Sequence, residues 1–303
     1  MLPEKPWKAD AILRLFARVL ICILMGALVG SAVAFFSEPQ KANAVPFVAA
    51  VVVAFGLFAG GLFILAREWR LENFIRNFVI LLVCLYAGFF LSWWAMHLSG
   101  GNAQLKNSVL KSVIGWLGFQ GVALVLVQRF LREHEIDWTE AFGFKNRLGR
   151  AVLLGALALV AAYPVCRALQ WVSMETMIHF KLQPQEQAAV QVLLATETLA
   201  DRLVFGLVTV LLVPPVEEML FRGILYPAVK QSGFPHAALW ITSLLFAAIH
   251  FNLEAFVPLT FLALALTWLY ERTGNLLAPI VMHVLFNAIG IAEFGIQKFY
   301  QTR

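Results

Sequence analysis

Stretches of about 20 apolar residues, the length a helix needs to cross roughly 30 Å of hydrocarbon, recur along this chain of 303 residues. They fall near 13–36, 45–66, 75–97, 110–130, 151–172, 203–224, 237–256, 256–271 and 276–296. The expected fold is all-α: a polytopic transmembrane helical bundle of about nine helices, with eight as the alternative count. Hydrophobic residues make up 61% of the chain and charged ones 14%, against about 25% charged in soluble proteins, which excludes an ordinary cytosolic domain.

Positive charge orients such a bundle, because Lys and Arg concentrate on the cytoplasmic side of short loops. With the N-terminus inside, 15 of the 23 Lys and Arg residues fall on the inner side, among them Lys5, Lys8, Arg67, Arg129, Arg147 and Arg272. The expected location is the cell membrane, as a multi-pass protein with its N-terminus cytoplasmic and its C-terminus outside. The formal net charge of +5 is distributed between hydrophobic segments, which argues against nucleic-acid binding. Cys22, Cys84 and Cys166 lie in apolar runs without C-x-x-C spacing, so neither a disulfide framework nor a thiolate metal site is expected. Ser31-Ala32-Val33-Ala34 follows a basic start and an apolar run, as a signal-peptidase site does. The run from Leu13 exceeds the roughly 7 to 15 residues of a signal-peptide core, however, and a retained anchor is expected.

Two connecting regions stand out. Residues 131–149 mix charges with Trp138, Phe142 and Phe144, the pattern of a segment at the membrane interface. They divide the chain into 1–149, embedding helices plus this segment, and 150–303, a functional core. Residues 173–202 carry Gln183, Gln185, Gln187 and Gln191, with Val190, Leu193 and Leu194 at helical spacing. That predicts a short amphipathic surface helix, although Glu197 falls on its apolar face.

Three motifs set ionisable or polar side chains inside the apolar runs of the second half: Glu217-Glu218-x-x-x-Arg222, Phe246-x-x-x-His250 and His283-x-x-x-Asn287. A charge at the bilayer centre costs about 2.5–3.5 kcal/mol on the insertion scale, so such residues are functional candidates. Pro214 and Pro215 precede the carboxylates and remove helical hydrogen bonds. This predicts a non-helical break, tolerated at membrane depth where the backbone lines protein or water. If the helix resumes at Pro215, Glu218 and Arg222 stand at i,i+4 and pair, while Glu217 points about 100° away. His283 and Asn287 share a face at the same spacing. Measured from the inner boundary at about 1.5 Å per residue, Glu217 and His283 lie at about 10 Å, Asn287 at about 16 Å and His250 at about 20 Å. Antiparallel spans do not guarantee that agreement, and the four residues are expected to border one hydrated pocket.

A carboxylate, two imidazoles and a carboxamide in such a pocket supply a general base, a proton shuttle and oxyanion donors for attack of water on an amide. Taken singly, each motif has a plainer origin: a structural ion pair, a satisfied core histidine, a carboxamide joining two helices. Their common depth favours hydrolysis. His97, His134, His179 and His236 lie at span ends or in connections and are assigned no role. The chain holds no H-E-x-x-H, G-x-S-x-G or G-x-G-D motif, so zincin, serine and aspartyl mechanisms lose support.

With Phe221-Arg222-Gly223 closing the first of them, the three motifs, spread over 200–295, resemble the CAAX-processing and bacteriocin-processing (CPBP, or Abi) family of intramembrane proteases. The resemblance implies that Glu217 and His250 activate water, that His283 and Asn287 stabilise the oxyanion, and that Glu218, Arg222 and Phe246 support the site. Residues 1–149 carry no signature. Family members are described both as metalloproteases and as glutamic-type enzymes, which leaves the cofactor open. Metal-free water activation is the expectation; the alternative is zinc held by Glu217, His250 and His283 with an open position for water. Expected partners are a membrane protein or peptide substrate and the lipid bilayer. Two other functions suit buried Glu, His and Arg: an ion-coupled transporter, although no inverted repeat is visible, and a non-catalytic bacteriocin-immunity or membrane scaffold protein.

Overall fold

The computed structural model describes residues 5–7, 11, 12, 14–16, 18, 19, 120–144, 147–196 and 198–301. The expected spans 45–66 and 75–97, most of 13–36, the first half of 110–130, the stretch Ser31 to Ala34, Cys22, Cys84, His97 and Glu197 lie outside the described residues. Among the described residues every regular element is helical.

Helix α1 (120–133) is followed by a turn in which Glu135 has φ 54°. Asp137 then caps α2 (Trp138–Phe142), accepting a hydrogen bond from the Glu140 N–H at 2.7 Å, which satisfies a donor the first helical turn leaves free. Ala141 and Phe142 are fully buried, and the Phe142 carbonyl accepts from the Leu276 N–H at 2.9 Å. Gly223 makes room for the Phe142 ring, since a Cβ at that position would lie 2.5 Å from a ring carbon. α2 is thus anchored to the core through Ala141 and Phe142. Lys5 donates to the Ala141 carbonyl, Trp7 packs on Phe130 with ring centroids 5.3 Å apart, and Phe16 meets Phe221 edge-on at 6.2 Å.

Gly143 ends α2 with φ 74°, in the left-handed region that side-chain-bearing residues avoid. A Cβ there would also lie 2.1 Å from the backbone carbonyl oxygen of Gly274. Gly143→Ala is therefore expected to destabilise the protein by about 3 kcal/mol, combining a strained dihedral with an overpacked contact. Thermal unfolding in detergent measures it; an unchanged transition would contradict the tight approach.

Helix α3 (Leu148–His179) has 32 residues, about 48 Å, and runs past the expected end at 172. A Cβ on Gly155 would meet the Ala278 carbonyl oxygen at 2.5 Å, so the glycine lets α3 approach the last helix closely. α4 (Ala188–Ala195) is the expected short surface helix, with Leu193 buried against Phe205. α5 (Leu199–Gln231), α6 (Pro235–Ala248), α7 (Leu253–Thr273) and α8 (Leu277–Gln301) complete the bundle. α3 packs along both α7 and α8, and α6 lies against α7.

α3, α5 and α7 are each long and apolar enough to cross a membrane, and outward-facing Val160, Leu203 and Leu207 suit a lipid environment. This is a helical membrane protein. The expected span 237–256 requires correction: α6 has 14 residues, about 21 Å, short of the roughly 30 Å of hydrocarbon. It stops because Phe251 turns to φ 49° and Asn252 caps α7 by accepting from the Ala255 N–H at 2.7 Å. α8 runs for 25 residues from Leu277 to Gln301, about 38 Å.

The predicted break at Pro214 and Pro215 is also absent. The chain stays helical through α5 by widening into π turns at Val208–Leu212 and Met219–Leu225. The Val213 N–H reaches back five residues to the Val208 carbonyl, so the donors that proline lacks are accommodated without unwinding.

Candidate active site

The second π turn begins directly after Glu217 and Glu218 and carries Arg222. Arg222 is 2% exposed, and each face of its guanidinium has a partner. Nη1 donates to Glu218 Oε1 at 2.8 Å, Nη2 to the Ala263 carbonyl at 3.2 Å and Nε to Thr267 Oγ1 at 3.4 Å. Its plane lies 4.4 Å from the centroid of the Phe246 ring, a cation–π contact strengthened by exclusion of water. The pairing expected from i,i+4 spacing is present, and α7 supplies the remaining acceptors.

Glu218 is fully buried, and its Oε1 also accepts from His283 Nδ1 at 2.8 Å. That bond fixes the imidazole and places the Nδ1 proton, so Nε2 is the free nitrogen. His283 Nε2 faces Glu217 Oε2 at 3.8 Å, beyond hydrogen-bond distance. Glu217 keeps 16% of its side chain exposed while Glu218 keeps none. The two adjacent carboxylates therefore have different surroundings: one is locked between Arg222 and His283, the other borders accessible space.

His250 lies in the turn beyond α6, a correction to its expected helical position. Its Nδ1 donates to the Phe246 carbonyl at 2.7 Å, a group the end of the helix leaves without an intrahelical donor, and Nε2 is again the free nitrogen. The rings of His250 and His283 both pack on Phe246, at 5.0 and 5.8 Å between centroids. Phe246 is therefore the shared wall of the site. Asn287, one turn after His283 on α8, donates through Nδ2 to the Thr209 carbonyl at 3.2 Å.

The structure thus links Glu217, Glu218, Arg222, His283 and Phe246 directly, joins His250 through Phe246 and ties Asn287 to the first π turn. Thr209, Thr267 and the Ala263 carbonyl escaped the sequence reading. Thr209 and Thr267, each a hydroxyl in an apolar span, were the detectable signals among them. Among the described residues no group of three His, Cys, Asp or Glu side chains could hold a metal ion. The arrangement does not match a three-ligand zinc site, and no step below passes through a metal.

A buried Glu–Arg–His cluster within membrane helices is a functional-site candidate; comparison with known proteins narrows it. Residues 199–289 match the family model described as type II CAAX prenyl endopeptidase Rce1-like, so this segment is similar to an Rce1-like domain. The chain is 39% identical over 83 residues to the uncharacterized protein YpbD of Bacillus subtilis (strain 168), covering 26% of this chain and 40% of that protein. It is 28% identical over 81 residues to the UPF0177 protein YxdF of Lactococcus lactis subsp. lactis (strain IL1403), covering 26% of this chain and 44% of that protein. The matched stretch thus spans less than half the length of these relatives. No solved structure matches the chain significantly.

Proposed function

We propose that this protein is an intramembrane endopeptidase that hydrolyses a peptide bond of a membrane-associated protein. The observation that carries this reading is the 3.8 Å approach of Glu217 to His283 Nε2 beside a carboxylate already committed to Arg222. Glu217 and the free Nε2 of His250 take the proton of an attacking water, and the new C–O bond forms a tetrahedral oxyanion. His283 and the second amide hydrogen of Asn287 stabilise that oxyanion. As the intermediate collapses, the C–N bond breaks and the proton held by Glu217 or His250 passes to the leaving amine. Glu218 and Arg222 act by holding His283 and Phe246 in place.

In this proposal 150–303 is the protease core, 1–149 embeds it, and the N-terminus faces the cytoplasm of a cell membrane. The substrate reaches the site from the bilayer. Cleavage proceeds without metal, so purified enzyme is expected to retain its activity on a membrane peptide after exhaustive chelation and to lose it in His250→Ala. A tightly bound stoichiometric zinc whose removal abolishes cleavage would replace this mechanism, and equal turnover by His250→Ala would sink it.

A further inference from the structure

The carbonyl that holds Asn287 is released by the sequence of its own helix. In the first π turn the Val213 N–H donates to Val208 and so does not serve Thr209, four residues before it. The next donor in register for Thr209 would be residue 214, five residues on, and this is a proline without an N–H. A backbone carbonyl buried at membrane depth needs a partner. Asn287 Nδ2 supplies it from α8 at 3.2 Å. The Thr209 hydroxyl does not compete for it, because it donates to the Phe205 carbonyl at 2.8 Å.

A carboxamide nitrogen carries two hydrogens. Once one is fixed on Thr209, the direction of the other is set, one helical turn from His283. We propose that Pro214 is a positioning residue for hydrolysis: by withholding an N–H it reserves the Thr209 carbonyl for Asn287 and thereby aims the second amide hydrogen at the carbonyl under attack. The proposal rests on the hydrolase reading above, although the linkage itself can be observed without turnover.

Pro214→Ala restores the missing donor. Relative to wild type it is expected to lower kcat about tenfold with KM within about twofold, as misorientation of an oxyanion donor does. Asn287→Ala is expected to lose about a hundredfold, and the double variant to fall no further than Asn287→Ala alone, since both changes act on one interaction. Pro215→Ala, whose N–H is in register with Val210 or Leu211, is the control and is expected to combine with Asn287→Ala multiplicatively. Multiplying losses for Pro214→Ala and Asn287→Ala would overturn the proposal. A readout independent of activity is isotope-edited infrared spectroscopy of a labelled Thr209 carbonyl in full-length protein. The band is expected to shift to higher frequency in Asn287→Ala, and an unmoved band would overturn the linkage even if Pro214→Ala fails to fold. Absence of peptide cleavage by wild type, with the shift intact, would remove the hydrolase reading and with it the catalytic role of Pro214, while leaving the linkage standing.

Discussion

Glu217→Gln is expected to lower kcat on a membrane peptide by about a thousandfold, the middle of the range that general acid–base catalysis contributes, with the fold unchanged. Glutamine keeps the shape of the side chain and removes its basicity. No strong structural bond is lost, because the approach to His283 is 3.8 Å, and Glu218 retains the bonds to Arg222 and His283. Turnover measured alongside thermal unfolding separates the two effects. Activity within tenfold of wild type would mean that another group activates water.

Arg222→Met is expected to have the opposite profile, with the largest loss of stability for any single change at the site, about 3–5 kcal/mol, the usual consequence of leaving one partner of a buried ion pair uncompensated. Two quantities decide this magnitude. Arg222 and Glu218 are 2% and 0% exposed, so water cannot replace the lost partner, and the same residue also loses its bonds to Ala263 and Thr267 and its contact with Phe246. Ordinary interhelical hydrogen bonds in membranes contribute only about 0.6 kcal/mol, so a loss of that size would show that Glu218 becomes neutral at little cost. Glu218→Gln combined with Arg222→Met is expected to recover part of the stability, since the stranded charge is then gone. Denaturation of the four proteins in one detergent gives the coupling.

Much of the bundle was legible because hydrophobic length is local. Twenty apolar residues in a row mark a membrane helix whatever surrounds them, and α3, α5 and α7 were located on that basis. The three motifs were legible for the same reason: a charge among apolar residues is conspicuous without knowledge of its neighbours. The Glu218–Arg222 pair follows from helical spacing alone, and it is present. Short-range chemistry was harder. Two prolines read as a break, yet α5 remains helical because π turns absorb the missing donors over five residues at a time. The end of α6 was misplaced because the Phe251 turn and the Asn252 cap lie inside an otherwise apolar run, where length dominates the reading. The packing of Phe142 against Gly223 was not legible, because the two residues lie far apart in the chain.

By itself, the order of residues determined that this chain is a membrane helix bundle, where its buried charges lie and which pairs share a helical face, because all of these depend on spacings within one segment. Only the tertiary structure decided that Glu218 and not Glu217 binds His283, that Phe246 joins the two imidazoles, and that Asn287 is held by Thr209. Those relations connect α5, α6 and α8, and the distances between separate helices are set by packing, through close approaches such as Gly155 on Ala278, which no local spacing encodes.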